Sequence, residues 1–119
     1  MIRREPGEPF ARISVDEAYQ MLQQERDRVA IVDVRTPEEY QKGHVKGAQL
    51  IPVDQVLERI GELPRGKKLL FICQAGQRSA LAAEMAAAMG FPPEDLYNVE
   101  DGTPAWIERN YPTSYGDAV

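Results

Sequence analysis

Two apolar runs constrain this chain more than any other feature. "VAIVDV", Val29 to Val34, and "KLLFIC", Lys68 to Cys73, are mainly β-branched or aliphatic runs and lack the polar alternation of a half-exposed strand. Strands of this kind are covered on both faces, and that points to a mostly parallel sheet between helices. "AQLIPV" (Ala48 to Val53), "DLYNVE" (Asp95 to Glu100) and Ala11 to Ile13 are shorter candidates, which makes about five strands.

Helical signals alternate with these runs. In "SVDE", Ser14 and Glu17 form a capping box, and Val15, Ala18 and Leu22 follow one face. "TPEEY" repeats the pattern with Thr36 as cap, Pro37 at the first helical position and Glu39 closing the box. "VDQVLERI" reads as a third, short helix with Val56, Leu57 and Ile60 apolar. After Cys73, the residues Leu81, Met85, Ala88 and Met89 fall at i, i+4, i+7 and i+8, with alanines between them allowing close approach to a sheet, and Gly90 ends the helix. "DGTPAWIERN" begins a last helix with Thr103 as cap and Pro104 at its first position. Alternating strands and helices imply an α/β domain with helices on both faces.

The 119 residues suffice for one domain, 1–119, with a core that needs no staple. Cys73 is the only cysteine and His44 the only histidine, so neither an intrachain disulfide nor a Cys/His zinc site can form. Residues 1–9 and 113–119, polar and rich in Pro or Gly, are expected to be loosely ordered. Nothing in the chain has the length of a membrane span, and a net charge of −5 disfavours nucleic acid and anionic membranes as partners, so a soluble, cytoplasmic protein is expected.

Ligands of such sheets gather at the carboxyl ends of the strands, and Cys73 sits at that edge. "CQAGQRS" is a strand end, a glycine-containing tight loop and a helix start, so its successive N–H groups can converge on one point as an anion cradle. The helix dipole adds roughly half a positive charge and Arg78 a whole one, which favours a thiolate at Cys73 with a lowered pKa. A thiolate so placed is a nucleophile. The alternative is that Cys73 is a small buried hydrophobe.

The same residues resemble a single-domain rhodanese, a sulfurtransferase. "IVDVRTPEEYQKGHVKGAQLIP" is similar to that family's D-x-R and G-H-x-x-G-A…I-P patterns, "CQAGQRSALAA" to its C-x-x-G-x-R-S loop, and "NVEDGTPAW" to its G-x-x-A-W end. Asp101 departs from the pattern, since many relatives have glycine there. The resemblance implies a rhodanese-like fold in which Cys73 takes a sulfane sulfur from a donor such as thiosulfate and passes it, as a persulfide, to a thiophilic acceptor: cyanide, a thiol or an acceptor protein. Backbone N–H groups of Gln74, Ala75, Gly76, Gln77, Arg78 and Ser79 would stabilise the persulfide. Arg78 would hold the donor's anionic end, Gly76 would let the backbone turn in, and Ser79 would cap the following helix. No metal or organic cofactor is implied.

Asp33 and Arg35 are expected either to brace the active loop, as the matching positions do in the family, or to form an ordinary ion pair at a helix entry. His44 is expected to bond structurally rather than act as a base, and Trp106 to fill the core. Two other functions compete. A persulfide carrier or binding module without free turnover would share the same loop. A cysteine phosphatase of related fold uses C-x-x-x-x-x-R, whereas Arg78 lies five positions after Cys73 and leaves one residue fewer in the ring.

Overall fold

The structure is a computed structural model that describes residues 2–119. Its elements are β1 (Arg3–Arg4), β2 (Ala11–Ile13), α1 (Val15–Gln24), β3 (Val29–Asp33), α2 (Pro37–Gln41), β4 (His44–Val45), β5 (Gln49–Leu50), β6 (Lys68–Ile72), α3 (Gln77–Ala88), β7 (Leu96–Val99), α4 (Gly102–Glu108) and β8 (Thr113–Ser114). Six strands form the main sheet in the order β1-β2-β7-β6-β3-β5. Five of them, β2 to β5 along that order, pair in parallel, and β1 adds an antiparallel edge. The parallel five are those the sequence marks, although β5 keeps only two residues of "AQLIPV".

The unalternated runs are explained by a core on each face. Val29, Ile31, Leu70 and Ile72 point to one side with α1 and α4, where Val15, Ala18, Met21 and Trp106 close the layer. Val32, Leu69, Phe71 and Cys73 point to the other, against Ala82, Ala83 and Ala86 of α3. Both capping boxes form: Glu17 N–H donates to Ser14 Oγ and Glu39 N–H to Thr36 Oγ1. Among the described residues no helix is long and apolar enough to cross a membrane.

Three local expectations change. On α3 the buried face is Ser79, Ala82, Ala83 and Ala86, while Leu81 and Met89 lie about half exposed. A helix lying close against a sheet presents its smallest side chains inward, so the alanines form the packing face and the larger residues turn out. "VDQVLERI" is not an α-helix. It forms 3₁₀ turns at Val53–Gln55 and Ile60–Glu62, neither with a side-chain cap, and leaves Leu57 exposed. So short a segment between Pro52 and Gly61 does not offset the nucleation cost of a helix. Finally, the ends carry specific bonds. Arg3 pairs with Arg12 in the sheet and with Glu100 through its guanidinium at 2.7 Å. Thr113–Ser114 pair with β4, and Gly116 N–H donates to Gln41 O.

The packing of α3 yields a paired prediction. Ala86→Leu is expected to lower stability by about 1–3 kcal/mol through overpacking, whereas Leu81→Gln should stay within about 0.5 kcal/mol of the native chain. Denaturant unfolding of the two variants checks this.

Candidate active site

β6 lies between β3 and β7, and the chain leaves β3 toward β5 but β6 toward β7. The carboxyl ends of β3 and β6 therefore flank the point where the connections diverge, the usual position of a ligand crevice in an open α/β sheet. Strand pairing ends at Ile72, so Cys73 is the first residue beyond the ladder.

Two glycines set the shape of the loop that follows. Gly76, at φ 89°, lies so close to the β7–α4 turn that a Cβ would come within 2.5 Å of Glu100 O. Gly102, at φ 77°, leaves even less room, since a Cβ there would sit 2.0 Å from Gln74 O. Both positions combine left-handed backbone with close approach, which only glycine accommodates. Thr103 adds a tether: its N–H and its hydroxyl donate to Cys73 O at 2.9 and 3.2 Å. Thr103 therefore does not cap α4, which starts one residue earlier at Gly102.

Held this way, the loop turns its amides onto the sulfur. Gly76 N–H donates to Cys73 Sγ at 3.1 Å and Ser79 N–H at 3.4 Å, and Ser79 Oγ lies 3.2 Å away. Cys73 is only 1% exposed. Burial pushes its thiol up, but the hydroxyl of Ser79 and the N–H groups of Ser79, Ala75 and Gly76 outweigh it and leave the thiol below its ordinary value. Gln74, Ala75 and Gln77 stand exposed around the rim, with Gly76 and Ser79 buried beneath them. Ser79 is not the helix cap. Gly76 occupies that position, and the Ser79 hydroxyl turns inward to Asn98 Oδ1 at 2.5 Å.

Arg78 is half-buried and already paired. Its guanidinium donates to both carboxylate oxygens of Glu39 at 2.7 and 2.9 Å, joining α3 to α2. Glu39 also accepts from the N–H and hydroxyl of Thr36. The Arg78 guanidinium, with these Thr36 bonds, holds the Glu39 carboxyl down at about 2. Asp33 and Arg35 form a buried ion pair at 2.7 Å, and Arg35 also donates to Gly43 O at 2.8 Å. Among the described residues neither bonds to residues 73–79, so the pair closes the entry and exit of α2. His44 stacks on Tyr40 and faces the carbonyls of Tyr40 and Ala118 with its two nitrogens, a structural role. Trp106 is buried and donates to Pro112 O.

Four contributors escape the sequence reading: Glu39, Asn98, Gly102 and Thr103. In the sequence Glu39 reads as a capping residue, and Gly102 and Thr103 as a turn and a cap. Asn98 did carry a signal, because an amide in the buried run "LYNV" must find partners.

The fold and the loop define an α/β domain in which backbone N–H groups converge on one buried thiol. The chain belongs to the rhodanese-like domain family, whose model matches residues 14–109. It is 32% identical over 101 residues to the thiosulfate sulfurtransferase GlpE of Shewanella oneidensis, covering 85% of this chain and 96% of that one. It is 34% identical over 93 residues to YrkF of Bacillus subtilis, a putative sulfur carrier protein, covering 78% of this chain but only 49% of YrkF. Among solved structures, a rhodanese with anions from E. coli is similar at 32% identity and a TM-score of 0.63, over 74% of this chain and 99% of that one. These relatives put the chain in a sulfurtransferase family.

Two predictions follow from the geometry of the site. Gly102→Ala is expected to lower stability by more than about 2 kcal/mol, measured by denaturant unfolding, because the new Cβ meets backbone rather than a yielding side chain. Glu39 in the folded chain titrates near 2, below its ordinary 4.5. Its contribution to stability is therefore present above about pH 4.5 and is lost as the pH falls through about 2. The stability difference between the native chain and Glu39→Gln should shrink over that window, as followed by thermal melts at stepped pH.

Proposed function

We propose that the chain is a sulfurtransferase that carries a sulfane sulfur as a Cys73 persulfide. The observation that carries this reading is the setting of one sulfur at the carboxyl end of the central strand: two backbone N–H groups donate to Cys73 Sγ, and the Ser79 hydroxyl lies 3.2 Å from it. With thiosulfate as donor, the Cys73 thiolate attacks the outer sulfur, the S–S bond to sulfite breaks, and sulfite leaves with the electron pair. The product, Cys–S–S⁻, carries its charge on the new outer sulfur, roughly 2 Å beyond Sγ. The N–H groups of the loop and the amino end of α3 suit that charge. Because Sγ itself is buried, the outer sulfur is the atom an acceptor thiol or cyanide would meet. The E. coli relative is a rhodanese with anions, which fits an anionic donor as substrate class. Arg78 contributes less free charge than an unpaired arginine would, since Glu39 neutralises it until a donor competes.

Carrier behaviour is favoured by a separate observation, the similarity to YrkF, and uses the same persulfide with a protein as acceptor. A thiol that must return to its reduced form suits a reducing compartment such as the cytoplasm.

Intact-protein mass after brief incubation with thiosulfate tests the proposal. The native chain is expected to gain one sulfur atom and lose it to a reducing thiol, while Cys73→Ser gains none. Absence of the gain from the native chain would sink thiosulfate as donor, and a gain in Cys73→Ser would sink Cys73 as the site.

A further inference from the structure

Asn98 lies in the middle of β7 with no solvent exposure. Its amide nitrogen donates to Gly76 O at 3.1 Å, and its Oδ1 faces the Ser79 hydroxyl at 2.5 Å. The carbonyl of Gly76 can only accept, which fixes the amide with NH₂ toward Gly76 and oxygen toward Ser79. That oxygen can only accept as well, so the Ser79 hydroxyl must be the donor. A hydroxyl has one proton. With it directed at Asn98, Ser79 offers Cys73 Sγ only lone pairs across 3.2 Å.

This arrangement is complete while Cys73 is a thiol, because S–H can donate to Ser79, Ser79 to Asn98 and Asn98 to Gly76. A thiolate changes the count. Sγ then needs donors, and the single Ser79 proton has two acceptors, Sγ and Asn98 Oδ1. We propose that Asn98 is a positioning residue that sets the ionisation of Cys73, and with it the balance between the empty and sulfur-loaded site, by competing for the Ser79 hydroxyl proton. The second half of this rests on the persulfide reading above. When the thiolate takes a sulfur from thiosulfate, one S–S bond forms as the other breaks, sulfite departs with the electron pair, and no proton is exchanged with solvent. Sγ becomes a neutral divalent sulfur, and the Ser79 hydroxyl can rotate back to Asn98. Loading thus ends the competition and favours the persulfide over the thiolate.

The charged groups near the thiol are already paired. Arg78 of α3 is held by Glu39 of α2, Asp33 at the end of β3 is held by Arg35, and Asp101 before α4 accepts from Val15 N–H. Among the described residues Ser79 is the hydroxyl within hydrogen-bonding distance of Sγ, so the destination of its proton is a variable that substitution at Asn98 can move.

The test is the pH profile of Cys73 alkylation by iodoacetamide, read by intact mass, which reports one site because the chain has one cysteine. Asn98→Leu frees the Ser79 proton and should move the midpoint to lower pH by about half to one unit. Asn98→Asp, a stronger acceptor, should move it higher. In a Ser79→Ala background the Asn98→Leu shift should largely vanish, since both backgrounds lose the same bond to Gly76 O. A folded Asn98→Leu with an unchanged midpoint would overturn the proposal, as would an equal shift without the Ser79 hydroxyl. If circular dichroism shows Asn98→Leu unfolded, Asn98→Asp with and without Ser79→Ala decides in the same way: a rise that persists undiminished without the hydroxyl is a plain charge effect and overturns the proposal. For loading, Asn98→Leu should lower the persulfide-to-thiol ratio about three- to tenfold at a fixed thiosulfate-to-sulfite ratio and at a pH where both proteins are ionised. Alkylation needs no sulfur transfer, so failure of the native chain to load would count against the persulfide reading and leave the ionisation result standing.

Discussion

The contact between two turns, residues 74–76 after β6 and residues 100–103 after β7, is what the site depends on. Gly76 meets Glu100 and Gly102 meets Gln74 at distances that leave no room for a Cβ, while Thr103 binds the carbonyl of Cys73. Neighbouring parallel strands bring the turns together, so the sheet register, Ile72 opposite Val99, is also the register of the loop. With the carbonyl of Cys73 tied to the second turn and that of Gly76 to Asn98, the loop turns amides inward. Burial would raise the thiol, but the Ser79 hydroxyl and the inward N–H groups hold it below its ordinary value.

Around this centre the charges are arranged to cancel. The Arg78–Glu39 pair joins the two helices that flank the crevice, and the Asp33–Arg35 pair closes the turns on either side of α2. Under the proposed function, the loop's attraction for an anion would therefore come chiefly from backbone dipoles, which are fixed in direction and need no reorganisation when a charge arrives. An unpaired arginine would attract any anion. Under the proposed function, the paired Arg78 would engage only a donor able to compete with the Glu39 carboxylate.

The alanine face of α3 belongs to the same design. Small residues at 82, 83 and 86 let the helix lie close on β6 and β7, and that closeness brings Ser79, in its first turn, beside both Cys73 and Asn98. Larger residues on that face would push the helix amino end, and the N–H groups that serve the sulfur, away from the strand.

The sequence alone determined the class of the fold, because strands that are apolar on both faces can be satisfied only between two layers, and it marked Cys73 as the proposed nucleophile, because a single cysteine stands between a buried strand and a glycine loop. It also carried both capping boxes, which are local and need no distant partner. Tertiary structure decided which residues share the work. Glu39 reads as a complete cap until the fold brings Arg78 to its other side, Thr103 reads as a cap until Cys73 O arrives, and Asn98 gains its role only from strands paired through residues far apart in the chain. The α3 face followed the same rule. Periodicity assigns the core to the large apolar residues, but the sheet admits only small ones at so close a distance, and that distance is a property of the assembled layers rather than of any segment.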